Sequence, residues 1–388
     1  MIFKILTLNT IALKGLETFN PQKYTLSPEE KSPHAILVRS ADLHSALLSM
    51  PLEIIARAGV GVNNIPITQC TELGIPVLNT PGANANAVKE LVITGMLLAS
   101  RHICSAWDFT RKLQGNDHEL EHQVENNKKL FSGIELPNKT LGVVGLGNVG
   151  VKVANAALTL GMKVIGFDNS ITVQNAWNLS SSVQQAHSLA EVCSQADFIT
   201  LHVPLLDSTQ HLINEKCLRL MKSNVVLLNF AREGIVDHSA LATALAENKI
   251  RHYVCDFPCA SFQNNPKVIA LPHLGASTKE AEENCAVMAA EQIQKYLEHG
   301  AIKNSVNFPN VFLPRNEGYR LTVANRNVPN IIAQITTVLS KQNINILDMI
   351  NKSRDDIAYN ILDVDTAVNE TLLQAIRKIN GVIRARKL

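Results

Sequence analysis

The strongest constraint on this chain is a series of short apolar runs that do not alternate. IFKILTL, AILVRS, LEIIARA and IPVLN come first, followed by TLGVVG, KVIGFD, DFITLHV, VVLLNF, HYVCDF and KVIALP, with longer helical stretches between them. A strand with one wet face alternates apolar and polar residues. A strand covered by helices on both faces has no reason to. The runs therefore predict buried parallel strands in an α/β architecture. Ten runs are many for one sheet, so two doubly wound lobes, of Rossmann and flavodoxin type, are expected.

A break falls near residue 100, after the apolar stretch AVKELVITGMLLASR, and the polar segment QGNDHELEHQVENNKK leads to the strand at Thr140. Prolines and asparagines in NFPNVFLPRNEG mark residues 307–317 as a linker. Beyond it, residues 318–388 read as a small βαββαβ domain of ferredoxin-like type. YRLTVAN is its first strand, Ile331, Ile335 and Leu339 form one helical face, and GVIRARKL is the closing strand.

Charge narrows the function. With 36 basic and 34 acidic residues there is no field to hold nucleic acid or an anionic membrane. MIFKILTLNT has neither a signal-peptide layout nor a run long enough to cross a bilayer, so a cytoplasmic protein is expected. Seven cysteines without CxxC spacing point away from a disulfide framework, and no metal site is expected.

The densest motif is GLGNVG at 145–150, between the strand TLGVV and a helix, with Asp168 lying 18 residues beyond Gly150. Gly145 permits a tight turn, Gly147 lets backbone approach a pyrophosphate, and Gly150 allows close helix packing. Asp168 is placed to accept hydrogen bonds from a ribose diol. NAD is the expected cofactor, because Asn169 and Ser170 supply no cation for a 2′-phosphate.

RAGVGVNNI, NTPGANANAVKEL, VVGLGNVG, LHVPLLDSTQHLIN, NFAREGIVD and PHLGAST occur in this order. Together they resemble the D-3-phosphoglycerate dehydrogenases of the D-2-hydroxyacid dehydrogenase family, and the C-terminal unit looks like that group's ACT regulatory domain. The resemblance implies NAD-dependent oxidation of 3-phospho-D-glycerate, the entry step of L-serine synthesis, in a homo-oligomer, dimer or tetramer. It also implies a substrate lobe of residues 1–99 completed by 276–306, a cofactor lobe of 100–275, and an active site at the cleft between them. A dehydrogenase of broader specificity, acting on 2-oxoglutarate or glyoxylate, is the alternative; an NAD-sensing binding protein is another.

By the same resemblance Arg232 is the catalytic arginine and His273 the acid/base. These roles suit a fixed cation that polarises a carbonyl and a group that titrates near neutrality. The implied cofactor contacts are Gly145, Gly147, Asn148, Val149, Gly150, Asp168, Val203, Pro204, Phe230, Ala231, Asp256, Gly275 and Ala276. Arg39, Ser40, Arg57, Val60 and Gly61 would hold the substrate's anionic ends, while Asn325, Asn327 and Asn345 match positions that bind an L-serine effector. Asn330 stands where a glycine is usual.

One expected residue is missing. The family orients its histidine with a glutamate that, by ungapped spacing from Asp256, falls at Ser261; a shift of one or two residues meets only Cys259, Ala260, Phe262 or Gln263. Asp256 is the only carboxylate from Asn248 to Lys279. Glu280, Glu282 and Glu283 follow on the next helical stretch, and the sequence leaves open whether one of these or water serves.

The Asp168 reading predicts higher kcat/KM with NAD than with NADP, since the carboxylate repels a 2′-phosphate. Equal efficiencies with the two cofactors would contradict it.

Overall fold

The computed structural model describes residues 2–46, 48 and 51–388. The chain forms two compact units, one that runs to Ala83 and resumes at Lys279, and one of Asn84–Thr278.

The first unit opens with β1 (Phe3–Leu8), β2 (Tyr24–Ser27), β3 (Ala35–Val38), β4 (Ile54–Arg57) and β5 (Val77–Leu78). They form a parallel sheet in the order β2-β1-β3-β4-β5, the flavodoxin-like arrangement. Period-two geometry explains why these strands look uniformly apolar. Ile5, Leu37 and Ile54 face Ala289 and Ile293 of the helix Lys279–His299, while Ile36, Val38 and Ile55 face Leu43, Ile65 and Cys70. Each face has its own cover, so neither needs polar residues.

The second unit carries β6 (Thr140–Val144), β7 (Lys163–Phe167), β8 (Gln184–Gln185), β9 (Phe198–Leu201), β10 (Val225–Asn229), β11 (Ile250–Cys255) and β12 (Val268–Ala270). All are parallel, in the order β12-β11-β10-β9-β6-β7-β8 of a Rossmann sheet. The helix Ala85–Arg101 belongs here, although the sequence boundary at 99 put it with the first lobe. Val92, Met96 and Ala99 lie in this unit's core, and Gly95 brings the helix close to Phe230 and Val254. An apolar helix face tells that it is covered, but not by which sheet.

The C-terminal βαββαβ unit consists of β13 (Tyr319–Arg326), β14 (Ile346–Arg354), β15 (Ile357–Val364) and β16 (Val382–Lys387), with helices Ile331–Ser340 and Glu370–Arg377. Its antiparallel order is β14-β15-β13-β16. Leu321, Val323 and Leu362 pack beneath the two helices. From the opposite face Ala324, Tyr359 and Ile361 join Tyr296, Phe308 and Val311 in the core of the first unit. The segment read as a linker is thus built into that core, with Phe308 fully buried and Val311 bridged to Ile302.

A buried ion pair completes the junction. Arg320 binds Asp363 through Nε at 2.7 Å and Nη2 at 2.6 Å, and donates to the carbonyls of His299, Leu313 and Pro314. Both side chains are fully buried. Such a pair is tolerable only because every guanidinium N–H has an acceptor, and removing one partner strands a charge at a cost of about 3–5 kcal/mol. Asp363→Asn is expected to lower the urea-unfolding midpoint accordingly, with Arg320→Met plus Asp363→Leu recovering much of the loss. An unchanged midpoint in the single variant would contradict this.

Candidate active site

Every site residue expected in the second unit lies at or just beyond the carboxyl end of a strand of its sheet, where doubly wound folds bind ligands. After β6, Gly145 adopts φ +94°, and a Cβ there would lie 2.7 Å from the His202 carbonyl oxygen. A Cβ on Gly150 would lie 1.9 Å from the Gly145 oxygen, whereas one on Gly147 meets nothing within 4 Å. Gly147 also caps the helix Asn148–Thr159 without a side chain, leaving first-turn N–H groups open. Open approach, uncapped donors and the positive end of the helix dipole fit a dinucleotide pyrophosphate.

Asp168 follows β7 and is anchored beside the glycine loop. Its Oδ2 accepts from the Leu146 N–H at 2.6 Å and its Oδ1 from Ser170 N–H at 2.7 Å. The remaining lone pairs suit a ribose diol. Val203 and Pro204 follow β9, directly after His202. Burial pushes the His202 imidazole down to about 3, so it is neutral, and its Nε2 lies 2.9 Å from Thr200 Oγ1.

Arg232 projects from the loop after β10. Its Nη1 donates to the Ala231 carbonyl at 2.7 Å, and among the described residues it makes no ion pair, so most of its fork is available. The loop is braced by Asn229, which sequence reasoning passed over though it opens the NFAREG motif. Fully buried, Asn229 accepts from Ala231 N–H at 3.2 Å and donates to the Arg232 carbonyl at 2.9 Å. Phe230 is buried beside Gly95.

Asp256 holds a backbone instead of a ring. Its Oδ1 accepts from Leu274 N–H at 2.7 Å and its Oδ2 from Gly275 N–H at 2.8 Å. Gly275 is buried and Ala276 exposed. Immediately before this clamp His273 takes φ +55° and meets the ring of Phe257 edge-on, centroids 5.3 Å apart. Among the described residues no carboxylate pairs with the His273 ring. Ser261, at the position of the missing glutamate, is exposed in a short 3-10 turn. Because β10, β11 and β12 are neighbours, the strand ends leading to Arg232 and His273 are roughly 10 Å apart.

In the first unit, Arg57 at the end of β4 donates through Nε to the Arg39 carbonyl at 2.8 Å and through Nη1 to the Gly61 carbonyl. It therefore shapes the turn that carries Val60 and Gly61. Val60 is tied in through Asn79 Nδ2 at 2.7 Å, and Ser40 N–H donates to Asn9 Oδ1 at 2.9 Å. Arg39 pairs with Glu282 at 2.5 Å, both side chains about 40% exposed. Glu283 pairs with Lys14 and Lys279. Two of the three carboxylates weighed as partners for His273 thus contact lysine or arginine side chains here.

The C-terminal asparagines separate. Asn325 is 2% exposed, donates to the Arg326 carbonyl and accepts from Asn360 Nδ2 at 2.7 Å, so its amide is used inside the sheet. Asn327 and Asn345 are exposed. Asn327 bonds to Asp355 and Asp356 at the β14–β15 turn, while Asn345 meets Asp365 at the other end of that hairpin. Nine residues of strand separate those ends by roughly 30 Å. Asn330 takes φ +72°, a left-handed position that glycine favours and asparagine tolerates.

Among the described residues, no group of three or more His, Cys, Asp or Glu is arranged to hold a metal, and no helix is long and apolar enough to cross a membrane.

The family model described as D-isomer specific 2-hydroxyacid dehydrogenase, NAD binding domain, matches residues 94–275. A D-3-phosphoglycerate dehydrogenase of Haemophilus influenzae is 32% identical over 98% of this chain and 94% of its own length. That of Methanocaldococcus jannaschii is 42% identical over 67% of this chain, which spans 48% of that relative's length. Among solved structures, the NAD-bound 3-phosphoglycerate dehydrogenase of Entamoeba histolytica superposes with a TM-score of 0.59 at 27% identity, covering 81% of this chain and all of its own.

The unpartnered ring generates a prediction. Ser261→Glu supplies a carboxylate at the spaced position, and a neighbouring carboxylate favours imidazolium. The pH–rate profiles of both reaction directions should move up by about 1 pH unit. An unmoved profile in a folded variant would contradict the spacing argument.

Proposed function

Because the chain belongs to the family of D-isomer specific 2-hydroxyacid dehydrogenases, we propose that it oxidises 3-phospho-D-glycerate to 3-phosphooxypyruvate in L-serine synthesis. Its cofactor is NAD, and it is an NAD-dependent dehydrogenase. The observation that carries the reading is the uncommitted guanidinium of Arg232 and the unpaired ring of His273 beyond strand ends of the sheet that bears the glycine loop.

The bound nicotinamide supplies the hydride acceptor. Arg232 holds the substrate carboxylate with one side of its fork and polarises the forming carbonyl with the other, stabilising charge as it develops. His273 takes the hydroxyl proton through a ring nitrogen and returns it in the reverse direction. Asp256 keeps the histidine's loop in place, and the neutral His202 adds no competing cation beside the glycine loop.

Arg57 and Arg39 receive the phosphate. The Arg39–Glu282 contact is exposed, and such pairs are worth only about 0–1 kcal/mol, so a dianionic phosphate displaces Glu282 readily. Homo-oligomerisation is supported by the helices Ile103–Arg111 and Asp117–Asn127, neither of which buries a residue in the single chain. Trp107 in the first of these is 60% exposed, and Leu130, in the 3-10 turn Lys128–Phe131 after the second, is 73% exposed. L-serine regulation would use Asn327 and Asn345 from two copies, since one chain holds them at opposite ends of a hairpin.

The test is NADH oxidation with 3-phosphooxypyruvate, 2-oxoglutarate and glyoxylate, with and without L-serine. The phosphorylated substrate should lead in kcat/KM by about tenfold or more, as expected for charge-assisted contacts to phosphate, and serine should inhibit. Equal efficiency with 2-oxoglutarate would contradict the phosphate reading, and indifference to serine the regulatory one.

A further inference from the structure

Two cysteines that lie far apart in sequence meet in the second unit. Cys193, in the helix Leu189–Gln195, is fully buried, and Cys217, in the helix Glu215–Leu220, is partly exposed. The two helices pack on one another, and Cys217 sits against the core cluster that contains Cys193. Both are free thiols, and their side chains hydrogen-bond to each other. In its protonated form Cys217 donates to the Leu212 carbonyl at 3.4 Å, a long contact; in its ionised form it accepts from Cys193.

The pair divides the roles that disulfide formation needs. Attack requires a thiolate that a small disulfide can reach. The hydrogen bond from Cys193 holds Cys217 below the usual thiol range, against its own burial, with help from the backbone of Asn214 and the ammonium of Lys216. The same contact and burial push Cys193 up, so it stays a protonated donor. Exposure alone does not produce this state: Cys104 is more exposed, yet partial desolvation pushes its thiol up.

We propose that Cys193 and Cys217 form a reversible intramolecular disulfide by exchange with a low-molecular-weight disulfide. The Cys217 thiolate attacks one sulfur of RSSR, which forms a mixed disulfide on Cys217 and releases RS⁻. Cys193 then gives up its proton and attacks the Cys217 sulfur, releasing the second RS⁻. Two protein thiols lose two electrons and two protons, and one RSSR becomes two RSH. Because the second thiol already touches the first, the closing step is intramolecular and outpaces accumulation of the mixed disulfide.

The reduced full chain, incubated under native conditions with oxidised glutathione, then alkylated and mapped by mass spectrometry, tests this. A Cys193–Cys217 link within one chain, lighter by two hydrogens and reversed by dithiothreitol, is expected, with no lasting glutathione on Cys217. Cys193→Ser keeps a hydroxyl donor but removes the second sulfur, so glutathione should remain on Cys217. In Cys217→Ser the buried Cys193 should stay reduced. The alkylation rate of Cys217 against pH gives a readout that needs no oxidant: its midpoint should rise by about 1 pH unit in Cys193→Ala, which lacks the donor. Glutathione persisting on Cys217 of the unaltered protein while Cys193 stays free, or no reaction at either cysteine, would overturn the proposal.

Discussion

Two hydrogen bonds from Leu274 and Gly275 to the buried carboxylate of Asp256 fix the loop that carries His273 beyond the carboxyl end of the Rossmann-type sheet. Asp256 N–H in turn donates to the Asn229 carbonyl, and Asn229 braces the Arg232 loop through its amide. The supports of the arginine and the histidine therefore meet at the ends of β10 and β11. A left-handed histidine costs about 1–3 kcal/mol, which charge-assisted bonds from the next two N–H groups offset. The ring is then located by its backbone and by the edge of Phe257, and among the described residues no carboxylate pairs with it.

This arrangement separates two duties that a partner glutamate would combine. Holding an imidazole in place needs only geometry, whereas stabilising its protonated form needs charge. Asp256 and Phe257 provide the first. The His273 side chain itself is exposed to solvent.

Much of this was readable in the sequence, for identifiable reasons. Strands buried on both faces keep non-alternating runs, so β3, β9 and β10 announce themselves, and strand, glycine loop, helix and Asp168 are linked by local spacing. The absence of a glutamate could be counted. What escaped depends on contacts distant in sequence or on a choice of partner. The helix Ala85–Arg101 shows an apolar face without showing which sheet covers it. Pro- and Asn-rich composition at 307–317 marks a break in periodicity, but not that Phe308 and Val311 are buried. Asn325 resembled an effector contact because the motif gives position and not side-chain direction; Asn360 takes its amide. The Arg320–Asp363 pair joins residues on separate strands, and nothing local predicts it.

In the proposed reaction His273 works without a carboxylate partner on its ring. A crystal structure of the protein with NAD and a bound 2-hydroxy acid tests this most directly. One ring nitrogen is expected at the substrate hydroxyl, with the ring still edge-on to Phe257 and the other nitrogen bonded only to water. A glutamate or aspartate oxygen hydrogen-bonded to that nitrogen, from Glu280 or any other residue, would contradict it.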